Sequence, residues 1–366
     1  MKKSLIALAV AGAFATPAFA ATSNVDIYGK LHVSVGFYDD LADQYEDVQV
    51  SSNASRIGFK GSEDLGGGLK GIWQIESGIN LDEQNGSWAN RNSFVGLAGG
   101  WGTALIGNHD TPLKLVGRAV DLFGDTIADS RNVMGGGSDT RAQNVVAYIS
   151  PSFSGFSFAA AYTNDLSGAG AVAGTSPVRD STGALTGDYV VTSTTTTTNG
   201  DDADASAFNL NATYANGPLY IGVGYGDGDA HEALGLDAHW RVAAGYTFGN
   251  FKAVGQYDSL EGDGVTGDDY DAWMIGGSYT MGAMVFKANY MEGEIDGCNV
   301  AGCDLEQWTV GMDYNLSKRT AVYALYADGQ NITLGGGAGT SDRISGYAVT
   351  GDEDISAFSL GVTHSF

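Results

Sequence analysis

Apolar and polar residues alternate with period two along most of this 366-residue chain, and past residue 20 charges and glycines interrupt every apolar run before it could span a membrane as a helix. Alternation of this kind marks strands with two unlike faces. From Val25 to Tyr38, Val25, Ile27, Leu31, Val33, Val35 and Phe37 fall on one side, and Asp26, Lys30, His32 and Ser34 on the other. Further on, Trp240, Val242, Ala244 and Tyr246 oppose His239, Arg241 and Thr247. We count 16 such runs, joined alternately by short turns such as Gly66-Gly67-Gly68 and Gly249-Asn250 and by long acidic connections. The prolines after residue 20 (Pro112, Pro151, Pro177 and Pro218) all sit outside the runs, as a sheet requires.

Aromatic residues, among them Tyr38, Tyr162, Tyr214, Tyr246, Tyr279, Tyr290 and Tyr314, gather near the ends of these runs. Two aromatic girdles, an even strand number and alternating short and long connections describe a barrel in an outer membrane. In lipid the sheet must close, because an open edge leaves backbone groups unpaired. The expected fold is therefore all-β: a 16-stranded antiparallel transmembrane β-barrel, wide enough for an aqueous channel.

The N-terminus reads as an export signal over residues 1–20: Lys2 and Lys3, an apolar core, and Ala18-Phe19-Ala20 at the cleavage site. Residues 21–366 are expected to form a single barrel. The formal charge is −25, or −27 once Lys2 and Lys3 leave with the signal. So acidic a chain excludes nucleic acid as a partner.

Residues 107–141 break the alternation. Val116, Val120, Phe123 and Ile127 recur at spacings of three and four, which predicts a short helix, and Asp121, Asp125 and Asp129 would then share one of its faces. Loops longer than about 12–15 residues tend to be functional. This one is expected to be a constriction loop, folded into the lumen, with those three aspartates as a negative stripe that makes the pore moderately cation-preferring. Leu105, Val145, Ala147 and Ile149 read as inward but apolar, the part of the wall such a loop would cover. Residues 163–205, with Thr194–Thr198 and several aspartates, are too poor in apolar residues for a core and are expected to form a long, mobile outer loop.

Other motifs carry little. Gly222, Gly224 and Gly226 lie in a strand with no helix after it, unlike a phosphate loop. The five histidines are scattered, and no nucleophile motif accompanies them. The chain is therefore not expected to be an enzyme, although a barrel enzyme, or an adhesin or receptor acting through its outer loops, is the alternative. No cofactor and no specific metal site are expected. Acidic outer connections, including Asp39, Asp40, Asp201, Asp202, Asp268, Asp269, Asp352 and Asp354, should bind divalent cations weakly and bridge to lipopolysaccharide. Cys298 and Cys303, the only cysteines, are expected to form a disulfide in an exported protein.

Four blocks resemble the Gram-negative porin family of trimeric 16-stranded diffusion channels: residues 25–36, 55–76, 91–112 and 144–162. The C-terminal strand ending His364-Ser365-Phe366 is also similar. The resemblance implies an outer-membrane homotrimer that passes small hydrophilic solutes and ions by passive diffusion. It also implies a third loop folded into each barrel, and a terminal Phe366 read by the barrel-assembly machinery. Arg56, Lys60, Lys70, Arg91 and Arg141 are the candidates for a basic pore wall. Three positions that match wall arginines of anion-preferring members are here Leu105, Asn108 and Ala147.

Overall fold

The computed structural model describes residues 24–39, 48–83, 88–134, 139–164, 176–179, 185–190, 206–228, 236–262, 269–296, 304–332, 334 and 354–366. The strands of the first half are β1 (Asn24–Asp39), β2 (Val48–Ser52), β3 (Arg56–Gly66), β4 (Leu69–Gly78), β5 (Ser93–Gly99), β6 (Gly102–Asp110), β7 (Arg141–Ile149) and β8 (Phe156–Thr163). A separate hairpin, β9 (Ser176–Arg179) and β10 (Leu185–Val190), follows. The sheet resumes with β11 (Ala207–Asn216), β12 (Leu219–Asp227), β13 (Leu236–Phe248), β14 (Phe251–Gly262), β15 (Tyr270–Met281), β16 (Met284–Ile295), β17 (Asp304–Asn315), β18 (Thr320–Gln330) and β19 (Asp354–Ser365).

Every strand of the large sheet is antiparallel to its neighbours, and β1 pairs with β19, so the sheet closes. It contains 17 strands as hydrogen-bonded segments. However, β2 and β3 pair with successive parts of β1 and are two pieces of one wall strand, which leaves the expected sixteen. The break falls at Ala54, whose φ of 50° takes the backbone into the left-handed region. Closure runs to the last residue: Gly29 N donates to Phe366 O at 3.0 Å, and Phe366 N donates to Gly29 O at 3.1 Å.

The alternation has the physical meaning read from it. Val25, Ile27, Val95, Ile106, Val146, Ile275 and Leu360 are exposed on one face, where lipid would cover them. His32, Asn209, Gln256, Asp258, Gln307 and Thr309 are buried on the opposite, polar face. Leu105, Val145 and Ala147 belong to that second face and are buried in a small apolar cluster with Ala142, Ala161 and Ala207.

Between β6 and β7 the chain folds against the polar face. Thr111 accepts a hydrogen bond from Lys114 N and caps a helix, α1 (Pro112–Arg118), that has proline in its first turn. The spacing of Val116, Val120, Phe123 and Ile127 predicts a longer helix than the one formed. Beyond Arg118 the aspartates bond to nearby backbone instead. Asp121 Oδ1 accepts from Phe123 N at 2.9 Å, and Asp129 caps a 3₁₀ turn, Ser130–Asn132, by accepting from Arg131 N at 3.0 Å. Such local bonds compete with helix. Val116, Val120, Phe123 and Ile127 are nonetheless all buried, in the main apolar cluster with Leu260, Met274, Met291 and Leu305 of the wall.

Within residues 163–205 the paired strands β9 and β10 are an addition to the loop read from the sequence; most of the remainder lies outside the described residues. Residues 1–20, Cys298 and Cys303 also lie outside them.

Candidate functional site

The segment between β6 and β7 is pinned at both ends. At the start, Asn211 Nδ2 on β11 donates to Pro112 O at 2.7 Å, and α1 seats on glycines of β12: a Cβ at Gly224 would stand 3.1 Å from Leu113 Cα. Towards the end, Arg241 on β13, fully buried, pairs with Asp139 and Asp258 and donates to Met134 O at 2.6 Å. Tyr270 on β15 donates to Val133 O at 2.7 Å, and Asn132 Nδ2 donates to Gln307 Oε1 on β17 at 2.8 Å.

The middle is organised by Arg118. Its guanidinium holds Asp121 at 3.1 Å, Asp125 at 3.0 Å and Asp129 at 2.8 Å. Asp129 also meets Arg131 at 3.0 Å. The expected stripe of three water-facing acids is therefore corrected: there is no helix to display it, and the side chains of Asp121 and Asp129 are 1% and 0% exposed. Only Asp125 reaches water, and it also meets Lys30 of β1 at 3.2 Å and Arg56 of β3 at 3.9 Å.

Around this centre stand seven cations. Lys30, Arg56 and Arg118 share Asp125, Arg118 and Arg131 share Asp129, and Lys114 lies in the field of Arg131. Lys114 and Arg141 share Asp110, and Arg141 lies in the field of Arg91. Arg91 and Arg56 share Glu76, at 2.6 Å and 4.0 Å, which closes the circuit. Asp110 joins Lys114 and Arg141 at 3.5 Å and 3.0 Å. The cations are nearer water than most of their partners: Arg56 and Arg118 are 26% and 24% exposed, against 8% for Glu76.

Burial and charge set the protonation of the buried acids. Burial and the charge of Asp129 push Asp121 up to about 6, outweighing Arg118. Burial would also raise Asp129, but Arg118 and Arg131 hold it well below the usual carboxylate range. Asp125 is likewise depressed, because Lys30 and Arg118 overcome its burial.

Of the basic residues proposed from sequence, Arg56, Arg91 and Arg141 come together in this circuit. Lys60 and Lys70 do not. Lys60 lies over the Tyr28 ring at 5.1 Å, and Lys70 sits opposite Asp64 beside the Gly66-Gly67-Gly68 turn. Lys30, Lys114, Arg118, Arg131, Glu76 and Asp110 are site residues that the sequence reading did not select. Arg118 and Arg131 had a usable signal: they flank the three aspartates in the segment that breaks the alternation. Among the described residues no group of three or more His, Cys, Asp or Glu side chains could hold a metal.

A closed sixteen-stranded sheet, apolar on its lipid-side face and charged on the other, defines an outer-membrane β-barrel of the size that encloses water. The Gram-negative porin family matches residues 7–334, and the chain belongs to it. That is a family of porins and not of enzymes, and it places the protein in the outer membrane of a Gram-negative bacterium. Outer membrane porin protein 32 of Delftia acidovorans is 30% identical over 386 residues, with 100% of both chains covered. Major outer membrane protein P.IB of Neisseria gonorrhoeae is 39% identical over 173 residues, 44% of this chain and 48% of that one. The chain therefore matches only about half the length of that relative. The structure of the anion-selective porin from Comamonas acidovorans has the same fold, with a TM-score of 0.70, 24% identity, and 94% of this chain and 100% of that one covered.

Proposed function

We propose that the protein is a water-filled channel for passive diffusion of small hydrophilic solutes and ions, narrowed by residues 107–141 lying inside the barrel, and that its narrow section favours anions. One observation carries this reading: the circuit of seven cations, whose carboxylate partners are mostly the more deeply buried. Among the described residues, nine cations stand in ion pairs with eight acids, so the paired groups carry almost no net charge although the whole chain is at −25. The excess negative charge lies elsewhere, as in Glu292, Glu294, Asp304 and Glu306 at the strand ends beside the long connections. The cation preference expected from sequence required Asp121 and Asp129 to face water, and both are buried. The relative described as anion-selective adds support for the opposite sign.

Charged rims and an oppositely charged narrow section act over different ranges. At about 0.1 M salt fields extend about 10 Å, and at 1 M only about 3 Å. The channel is therefore expected to favour anions most clearly at high salt, where the distant acidic rims are screened while the circuit still meets the ion directly. The test is the zero-current potential of purified protein in a planar bilayer across a KCl gradient. A cation-favouring potential at high salt would overturn the sign, and absence of conductance would overturn the channel. Assembly as a homotrimer, recognition of Phe366 by the assembly machinery, contact with lipopolysaccharide and weak divalent-cation binding by the outer connections complete the proposal. Sedimentation in detergent tests the first of these.

A further inference from the structure

Asp125 differs from the other two aspartates bound to Arg118. Its carboxylate receives cations from three separate parts of the chain: Lys30 Nζ at 3.2 Å from β1, Arg56 Nη1 at 3.9 Å from β3, and Arg118 Nη2 at 3.0 Å from the end of α1. The Arg118 guanidinium divides its work. Nη1 serves the buried Asp121 and Asp129, while Nη2 serves Asp125. Asp125 occupies the left-handed region at φ 61°, and its N–H donates to Asp129 Oδ2 at 2.7 Å, so the turn itself delivers the carboxylate to that place. Unlike the others it is partly exposed, at 18%, so its three ligands border water.

We infer that Lys30, Arg56 and Arg118 form a binding subsite for a carboxylate, and that the chain fills it with its own Asp125. A small carboxylate solute entering the narrow section presents the same chemical group and exchanges with the tethered one. Two guanidinium groups and an ammonium favour a planar, two-oxygen anion over a spherical halide, because guanidinium N–H groups match carboxylate geometry. The tethered carboxylate keeps the subsite from holding a solute too long. It competes at the high effective concentration of an intramolecular group, and transport requires that a bound solute also leave. The inference rests on the channel reading.

Asp125→Gly tests it, because glycine adopts φ 61° without strain and removes the competitor while keeping the turn. Asp125→Asn is the second variant and keeps the side-chain volume. Single-channel chloride current is recorded in KCl while sodium acetate is titrated in, with acetamide as the neutral control. Both variants should be blocked by acetate at a half-blocking concentration about tenfold lower than wild type, since a tethered competitor has been removed. Acetamide should affect none of the three. If the variants conduct but acetate blocks them no better than wild type, the subsite is overturned and the channel stands. If wild-type protein does not conduct, the channel reading falls and the inference falls with it.

Discussion

Arg118 Nη1 lies 2.8 Å from Asp129 Oδ2, across a turn of 11 residues, and this contact closes the segment between β6 and β7 upon itself. The other acids of the turn attach to the same guanidinium. The middle of the segment is therefore organised around one cation. Replacing Arg118 with glutamine leaves buried Asp121 without its counter-charge and leaves buried Asp129 with Arg131 alone. Breaking a buried pair costs about 3–5 kcal/mol, and partial water access at Arg118 places this case at the lower end. The wall hydrogen bonds do not involve Arg118, so the barrel should still resist SDS at room temperature. The expected result is new protease cleavage within residues 107–141 and noisy single-channel current. A quiet, protease-resistant Arg118→Gln channel would show that the anchors at Arg241 and Gln307 suffice.

Acid should change the charge of this segment before it loosens it. Asp121 is raised to about 6, so its proton is bound more tightly in the folded segment than in an unfolded chain, and its ionised form opposes the fold. That contribution is fully present below the ordinary carboxylate value of 3.8 and is lost as pH rises through about 6. Asp129 has the opposite sign: its depressed value stabilises the segment above the ordinary carboxylate range, and this is lost only in strong acid. Between pH 7 and 5 the segment should therefore stay folded while Asp121 gains a proton and leaves Arg118 less neutralised. Zero-current potential should shift towards anions over that interval. Asp121→Asn should remove this part of the shift, and an identical pH profile in the variant would count against the assignment.

The barrel was legible because each wall strand meets two unlike surroundings, and a period of two records that at most residues from Val25 to Phe37. The interruption at Ala54 was not, because a single left-handed residue leaves no mark in an alternating pattern. Loss of alternation located residues 107–141, but reading Asp121, Asp125 and Asp129 by spacing alone gave them the wrong surroundings. Aspartate readily bonds to nearby backbone, as Asp121 does with Phe123 N, so a four-residue period in aspartates is weak support for a helix. Arg56, Arg91 and Arg141 were recognised as polar-face residues of the wall. Lys30 shared that face, yet its role depends on Asp125, which lies 95 residues away. No local pattern could have joined them.

The seating of α1 against β12 should be visible in conductance. Gly224 faces α1, and the nearest atoms to a Cβ built there all belong to Leu113, the first at 3.1 Å. Gly224→Val therefore has to push α1 away from the wall. Overfilling of this kind costs about 1–3 kcal/mol and displaces the short helix before the hydrogen-bonded sheet. If the segment lies inside the barrel as proposed, that displacement is towards the open section, and single-channel conductance should fall. Adding Leu113→Ala removes Cγ but leaves Cα and Cβ in place, so it should restore only part of the conductance. A Gly224→Val channel of wild-type conductance would show that α1 does not border the solute path.

The last contact of the chain also limits its assembly. At Gly29 an added Cβ would stand 2.4 Å from Phe366 Cζ and 2.7 Å from the backbone oxygen of Arg56. The first obstacle is a terminal ring that can turn aside. The second is a neighbouring strand that cannot move without breaking the β1–β3 ladder, where Lys30 pairs with Arg56. Gly29→Ala should therefore strain both sides of β1 where the barrel closes on β19. We expect a cost of about 1–3 kcal/mol, read as a lower temperature for conversion to the unfolded band in SDS gels. Phe366→Ala alone keeps the reciprocal backbone bonds to Gly29 and should lower that temperature less. Combining the two should recover only part of the Gly29→Ala loss, because the Arg56 carbonyl remains in the way. Full recovery in the double variant would show that the ring alone requires glycine at this position.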